Sequence, residues 1–494
     1  MNVRSGRFAT DHSRLSRPLA AAVACWMLLV SQSSAADWLQ AAGDAARTGH
    51  SPDEPRPPYR LLWNKTWKGE VFTNTNQPII VSGVLYVASN NGVVHALKAA
   101  TGKELWTADV DGPVTHALAS DGKRIFAATL AGTVHALGAA DGKEHWKTKV
   151  SRRGFSAAPL LMEPAGRDGE ARLFIGNRDG AFYAISAETG AVLWRLDTGA
   201  PIRQTAAGAD GKIVFVNDAM VAFCADTATG EALWKTEIPG GSVRDYWPVI
   251  HTGRVIIRTA EAGARELLHM PETLQKRFFW PAGKGGKGPF KARTEADVVG
   301  REQDMLVQYF KEFPFVRTFI VLNLADGREP YTAGVYGGCS NTGTYAPPVV
   351  AGDGNVYCMS RTSAADRGFI NITHLYLGRF DVKTGRMTRP ILCGWRDVGQ
   401  TLFGIKGPLF KTSSWKMISD ETVALSSGGN LVFGMRNEGG AGAVDVRTKR
   451  HWPLPGFSSN YRTDMQSSAN VLSISGKYIA YTASLRNVIC IEGN

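Results

Sequence analysis

Arginine returns at one kind of place in this sequence: Arg153, Arg203, Arg244 and Arg462 each stand within ten residues after a tryptophan (Trp146, Trp194, Trp234 and Trp452). A guanidinium is a planar fork of donors, so such a group suits a ligand bearing carboxylate, phosphate or sulfate. The carboxylates of these segments are Asp245 and Asp464, each able to accept a proton or to act as an oxygen ligand of calcium. Gln204 and Trp247, with Asn341 and Trp415 from corresponding segments, add amides and flat aromatic surfaces to the candidate set. A plainer account competes: connecting segments are polar in any fold, and two aspartates can simply pair with neighbouring arginines.

At 494 residues the chain exceeds the usual size of one layered core, so several domains or a repeated fold is expected. The 44% hydrophobic content, 20% charged content and 54 glycines fit a globular protein with many tight turns. Residues 1–36 read as a signal peptide: Arg4, Arg7, Arg14 and Arg17 precede an apolar run from Leu19 to Val30, and small residues follow as far as Ala36. A membrane span takes roughly 20 apolar residues, more than this run supplies. Export to the periplasm or beyond is expected, with no transmembrane span after cleavage. Cys25, inside the run, lacks the leucine that would lead a lipid-attachment site.

Residues 37–494 are expected to form a single domain and a monomer. They hold Cys224, Cys339, Cys358, Cys393 and Cys490, with no adjacent pair and no C-x-x-C, so neither a disulfide framework nor a zinc site is indicated. The formal charge of +12 falls by three, to about +9, when the four arginines and Asp11 of the signal are removed. A basic surplus permits anionic partners such as lipid headgroups or an acidic polymer. No zinc-finger spacing or aromatic RNA-binding motif points to nucleic acid.

One phrase recurs, ending in Gly102-x-x-x-Trp106, Gly142-x-x-x-Trp146, Gly190-x-x-x-Trp194 and Gly230-x-x-x-Trp234, at intervals of 40, 48 and 40 residues. That is the length of a four-stranded propeller blade. Segments such as Val93–Leu97 and Ala181–Ile185 alternate with a period of two, as half-buried strands do. The tryptophans read as blade-docking core residues. Weaker copies end at Gly327 with Tyr331, at Gly385 with Arg389, and at Lys449 with Trp452, while Leu61–Trp67 is a closing strand without predecessors. Letting that strand complete the last blade makes eight, all-β and antiparallel; seven blades is the alternative. Residues 263–315 form the longest insertion, with a helix expected over Glu295–Phe313 whose apolar face holds Val298, Met305, Val307 and Phe310. It is expected either to cap a mouth of the ring or to form a surface excursion.

The A-x-T-G-x-x-x-W phrases and the opening Gly43-Asp-Ala-Ala-Arg-Thr-Gly49 resemble the repeat family named for pyrroloquinoline quinone, which includes quinoprotein alcohol dehydrogenases and the outer-membrane assembly lipoprotein BamB. The resemblance implies a propeller; function depends on the site the propeller carries. Enzymes of that family place adjacent cysteines beside the quinone, calcium ligands under it and an aspartate base, and many carry a C-x-x-C-H haem attachment. Adjacent cysteines and C-x-x-C-H are both missing from this sequence. The expected function is therefore a noncatalytic binding or assembly scaffold in the cell envelope. The alternative is an oxidoreductase of alcohols or sugars, with pyrroloquinoline quinone and calcium held by the arginines and Asp245 or Asp464 as base.

Overall fold

Strands of period two joined by glycine turns arrange themselves as small radial sheets in the computed structural model, which describes residues 35–73, 75–163, 169–244, 246–260, 303–335, 347–366, 370–399, 425–435, 441–455, 471–483 and 486–494. Residues Ala35–Asn494 form one compact unit. The eight sheets are the blades of an eight-bladed β-propeller. Blade 1 comprises Ile79–Val81, Val84–Ala88, Val93–Lys98 and Glu104–Asp109, and blade 2 comprises Ala119–Ser120, Arg124–Ala128, Thr133–Gly138 and Glu144–Lys149. Blade 3 (Leu160–Met162 to Val192–Asp197) and blade 4 (Ala207–Ala209 to Ala232–Glu237) repeat the pattern. Blade 5 has three strands, Val249–His251, Arg254–Arg258 and Phe319–Asn323. Blade 6 begins at Val349–Val350 and has long outer strands, Val356–Asp366, Ile370–Asp381 and Arg386–Gly399.

Blade 7 runs from Ser426–Gly428 to His451–Pro453, with His50–Ser51 added in parallel on its inner edge. Blade 8 is composite: Ser473–Ser475, Tyr478–Ala483 and Asn487–Glu492 are completed by the N-terminal strand Arg60–Thr66. The two ends of the chain thus close the ring, as the unaccompanied Leu61–Trp67 segment implied.

The repeated phrase acts between blades. Trp63 lies over Gly102, Trp106 over Gly142, Trp146 over Gly190, Trp194 over Gly230 and Trp234 over Gly327, so that a Cβ on each glycine would meet the indole at 2.5–2.8 Å. These glycines have φ between +67° and +75°, which L side chains rarely adopt, so backbone conformation and ring contact both require glycine. Each indole N–H donates to a carbonyl of the next blade at 2.7–3.2 Å: Ala99, Ala139, Ala187, Thr227 and Leu324. Tyr331 takes the same place over Gly385 and donates to Val382 O at 2.6 Å. Burying such a ring stabilises each seam by roughly 2 to 3 kcal/mol.

In blades 8, 1, 2, 3 and 4 the pairing of the outer strand slips just before its tryptophan, making Leu62, Leu105, His145, Leu193 and Leu233 the extra residue of a bulge. Such bulges twist an exposed edge away from further pairing.

The expected helix is found in its last part, Gln303–Glu312; the insertion before it, residues 261–302 including Val298, lies outside the described residues. Phe310 is on the buried face as expected, and Val307 stands at its edge. Gln303, Leu306, Tyr309 and Phe310 are buried, whereas Val307 is half-buried. The register is set by Gln303, whose amide donates to Met387 O at 2.6 Å and accepts from Met387 N at 2.7 Å. This docks the helix on the outermost strand of blade 6, beside the segment that carries Tyr331 and Gly334. Its described part therefore covers an outer edge and not a mouth.

Candidate functional site

In a four-stranded antiparallel blade, the segment leading into the innermost strand and the turn between the second and third strands lie at the same end. That end is called the mouth here, and the opposite end the floor. The floor is crossed by the chain's own start. Residues 36–54 visit the innermost strand of every blade in order: Trp38 exchanges two bonds with Ile80, and Leu39, Ala45, Ala46, Thr48 and Gly49 accept from Ser120, Gly208, Ile250, Val350 and Ser427. Gln40 bonds Leu161 in blade 3, and Asp53 Oδ2 accepts from Gly476 in blade 8 at 2.6 Å.

Arg47 holds this strap across the ring. It is fully buried and donates to Ala41 O at 2.6 Å, Ala206 O at 2.8 Å and Pro159 O at 3.3 Å. Burial pulls its pKa down to about 9, against the partial support of Asp44. Gly43, Ala42, Arg47 and Gly49 all have positive φ, the geometry of a strap turning inside a ring. The Gly43–Gly49 phrase noticed in the sequence is therefore the floor. Above it Trp247 is buried in the apolar cluster that includes Ala41, Ala42, Ala117, Ala158 and Val471, contributed by the strap and by blades 2, 3, 5 and 8.

At the mouth, Arg203 leads into blade 4 and Arg244 into blade 5. Arg203 Nη1 and Arg244 Nη2 both lie 3.3 Å from Asp218 Oδ2. Asp218 sits in the turn between the second and third strands of blade 4, its amide bonded to Pro201 O at 2.7 Å. Reading the sequence by connecting segments overlooked it, because it stands in a strand-to-strand turn; the repeat puts both kinds of loop at one end. Next to Arg203, Gln204 is 1% exposed, and neither of its amide atoms has a partner among the described residues. His116, at the corresponding position in blade 2, is also buried; its Nδ1 lies 2.9 Å from Thr115 Oγ1, and its Nε2 has no partner among the described residues. Burial pushes its pKa down to about 4.

Of the remaining candidates, Arg153 is exposed on the rim of blade 3, away from the Asp218 pair. Asp245, Asn341, Trp415, Arg462 and Asp464 lie outside the described residues. The arrangement can recognise an anion: two guanidiniums converge on one carboxylate beside a buried amide with donor and acceptor free. Arg203 and Arg244 are the charged groups of the arrangement, while Gln204 and Trp247 are buried behind the surface. Among the described residues no group of three or more His, Cys, Asp or Glu can hold a metal ion.

The fold defines the class, an eight-bladed propeller whose floor is crossed by the strap of residues 36–54. Three overlapping stretches, residues 60–127, 90–206 and 178–270, match the family model described as outer membrane protein assembly factor BamB. The matched stretch, residues 60–270, carries pyrroloquinoline-quinone-type repeats within the eight-bladed β-propeller. A polyvinylalcohol dehydrogenase from Pseudomonas sp is 36% identical over 110 residues, 19% of this chain and 17% of that protein. A 1-butanol dehydrogenase (cytochrome c) from Thauera butanivorans is 30% identical over 121 residues, 24% of this chain and 12% of that protein. The matches thus span about a sixth or less of those relatives. A europium-containing methanol dehydrogenase superposes with a TM-score of 0.54 over 92% of this chain and 98% of its own at 13% identity, a likeness of fold.

Proposed function

We propose that this chain is a noncatalytic binding propeller of the cell envelope, holding a carboxylate- or phosphate-bearing ligand at the mouth of its ring. The carrying observation is the convergence of Arg203 and Arg244 on Asp218 beside the unpartnered Gln204 amide. Asp218 keeps the two cations oriented before a ligand arrives and competes with it. The family description as an assembly factor supports a location in the envelope. Calorimetric titration of the full chain with mono- and dicarboxylates and inorganic phosphate tests the reading: binding should weaken in Arg203→Ala and tighten in Asp218→Asn. Binding unchanged in both variants, or none in the wild type, would overturn it.

A quinoprotein oxidoreductase is the second reading, favoured by the two dehydrogenase relatives. Arg203 and Arg244 would then hold the carboxylates of pyrroloquinoline quinone, which supplies the redox chemistry when bound. Calcium-dependent quinone binding lost in Arg203→Ala, with dye-linked alcohol oxidation, would favour it; absence of both would leave the scaffold.

A further inference from the structure

Four exposed basic side chains stand together on the mouth rim at blades 2 and 3: Lys149, Arg152, Arg153 and Arg178. None forms an ion pair among the described residues. They are mounted on a rigid piece of backbone. Val150 and Ser151 donate to Gly132 O at 2.9 and 3.3 Å, and Phe155 donates to Thr129 O at 3.0 Å, which lays the connection between the blades flat on the blade 2 turn. A Cβ on Gly132 would come within 2.1 Å of Ser151 O, and one on Gly154 within 2.0 Å of Leu130 O. Only glycine lets the two backbones meet so closely. Lys149 Nζ donates to Ala131 O, and Arg178 N donates to Gly154 O at 3.3 Å, so both flanking cations join the same platform.

The fold does not require these charges. The corresponding connections read Val110-Asp-Gly-Pro113 ahead of blade 2 and Thr198-Gly-Ala-Pro201 ahead of blade 4, without a basic residue. The nearby carboxylates are already engaged. Asp179 accepts from the Tyr183 hydroxyl at 2.7 Å and Ala181 N at 2.9 Å. Asp111 accepts from Thr133 and Thr129 at 2.5 and 3.0 Å, and lies 3.0 Å from His135 Nε2.

We infer that this platform binds an acidic polysaccharide, a linear chain carrying carboxylate or sulfate groups at intervals. A small anion would engage one or two of the cations, whereas a polymer engages all four across the two blades. A lipid surface is a poorer fit because it wants apolar anchors. Of the exposed large apolar residues, Leu61, Leu105, Val192, Leu193 and Leu233 stand at the beginnings of outer strands, at the floor end, and Val71 ahead of blade 1 and Phe315 of blade 5 lie off the platform of blades 2 and 3. Single-stranded nucleic acid is a poorer fit because it wants exposed rings to stack on, and Phe155, the aromatic residue of the platform's connection, is buried.

The inference rests on the reading of the chain as a binding propeller. Its test is titration of the full chain with sodium alginate at low and high salt, against neutral dextran, phosphatidylglycerol vesicles and single-stranded oligothymidine. Alginate should bind, and salt should weaken it. The variant with Lys149, Arg152, Arg153 and Arg178 all changed to Ser should lose about tenfold to hundredfold in affinity, each exposed ion contact being weak alone, at an unchanged unfolding midpoint. Arg203→Ala should keep alginate binding while losing the small-anion binding proposed for the mouth, which separates the two sites. Equal binding by the fourfold variant, no binding of alginate, equal binding of dextran, or preference for vesicles or DNA would overturn the inference.

Discussion

His116 should make the propeller acid-sensitive from a pH above that at which ordinary carboxylates begin to take up protons. The imidazole is nine-tenths buried, and burial pushes its pKa from 6.5 to about 4. Between those values the unfolded chain binds a proton that the folded chain refuses, so unfolding takes up a proton and acid favours it. The histidine's contribution is fully present above about pH 6.5 and is lost as pH falls towards 4. A shift of 2.5 units at about 1.36 kcal/mol each is about 3 kcal/mol. The substitution His116→Asn tests it without emptying the site, because Asn76 stands at the corresponding position of blade 1, four residues before Ile80 as His116 is before Ser120. Urea unfolding of both proteins between about pH 7 and pH 4.5 is the assay. The wild type should lose about 2 to 3 kcal/mol more than the variant over that range. Parallel profiles would refute the reasoning and mean that the buried ring is protonated as readily as a free one.

Three further substitutions probe the architecture. Gly142→Ala should cost about 2 to 4 kcal/mol in chemical denaturation, since φ is +71° and the new Cβ would meet Trp106 at 2.6 Å; Gly122→Ala, at φ +86° with nothing within 4 Å, should cost only about 1 to 2 kcal/mol. Arg47→Met leaves the Ala41, Pro159 and Ala206 carbonyls without their donor and should lower stability by about 3 kcal/mol or more, read as a drop in unfolding midpoint. Lys449 has φ +61° in the place where other blades have glycine, so Lys449→Gly should raise stability by about 1 kcal/mol in urea unfolding.

The repeat was legible because its chemistry is local and periodic. A left-handed turn needs glycine, and a large ring four residues later has to find the next blade, so Gly102 through Trp234 disclosed the blades. Ring closure was legible for a related reason: a strand such as Leu61–Trp67, with no predecessors, has to complete a sheet elsewhere. The helix face was legible in part: Phe310 is buried as its spacing implied, but Gln303 joins the buried side only because the Met387 backbone bonds its amide.

The sequence by itself determined the propeller class, the order of its repeats and the glycine–aromatic lock between them, since these follow from residue type at fixed spacing, and it favoured eight blades over seven. Only the tertiary structure decided that residues 36–54 cross the floor, that Arg203 and Arg244 share Asp218, and that Lys149, Arg152, Arg153 and Arg178 form one platform. The physical reason is that the ring brings together, at one end, loops from different positions in the repeat, and a one-dimensional period carries no record of which loops meet.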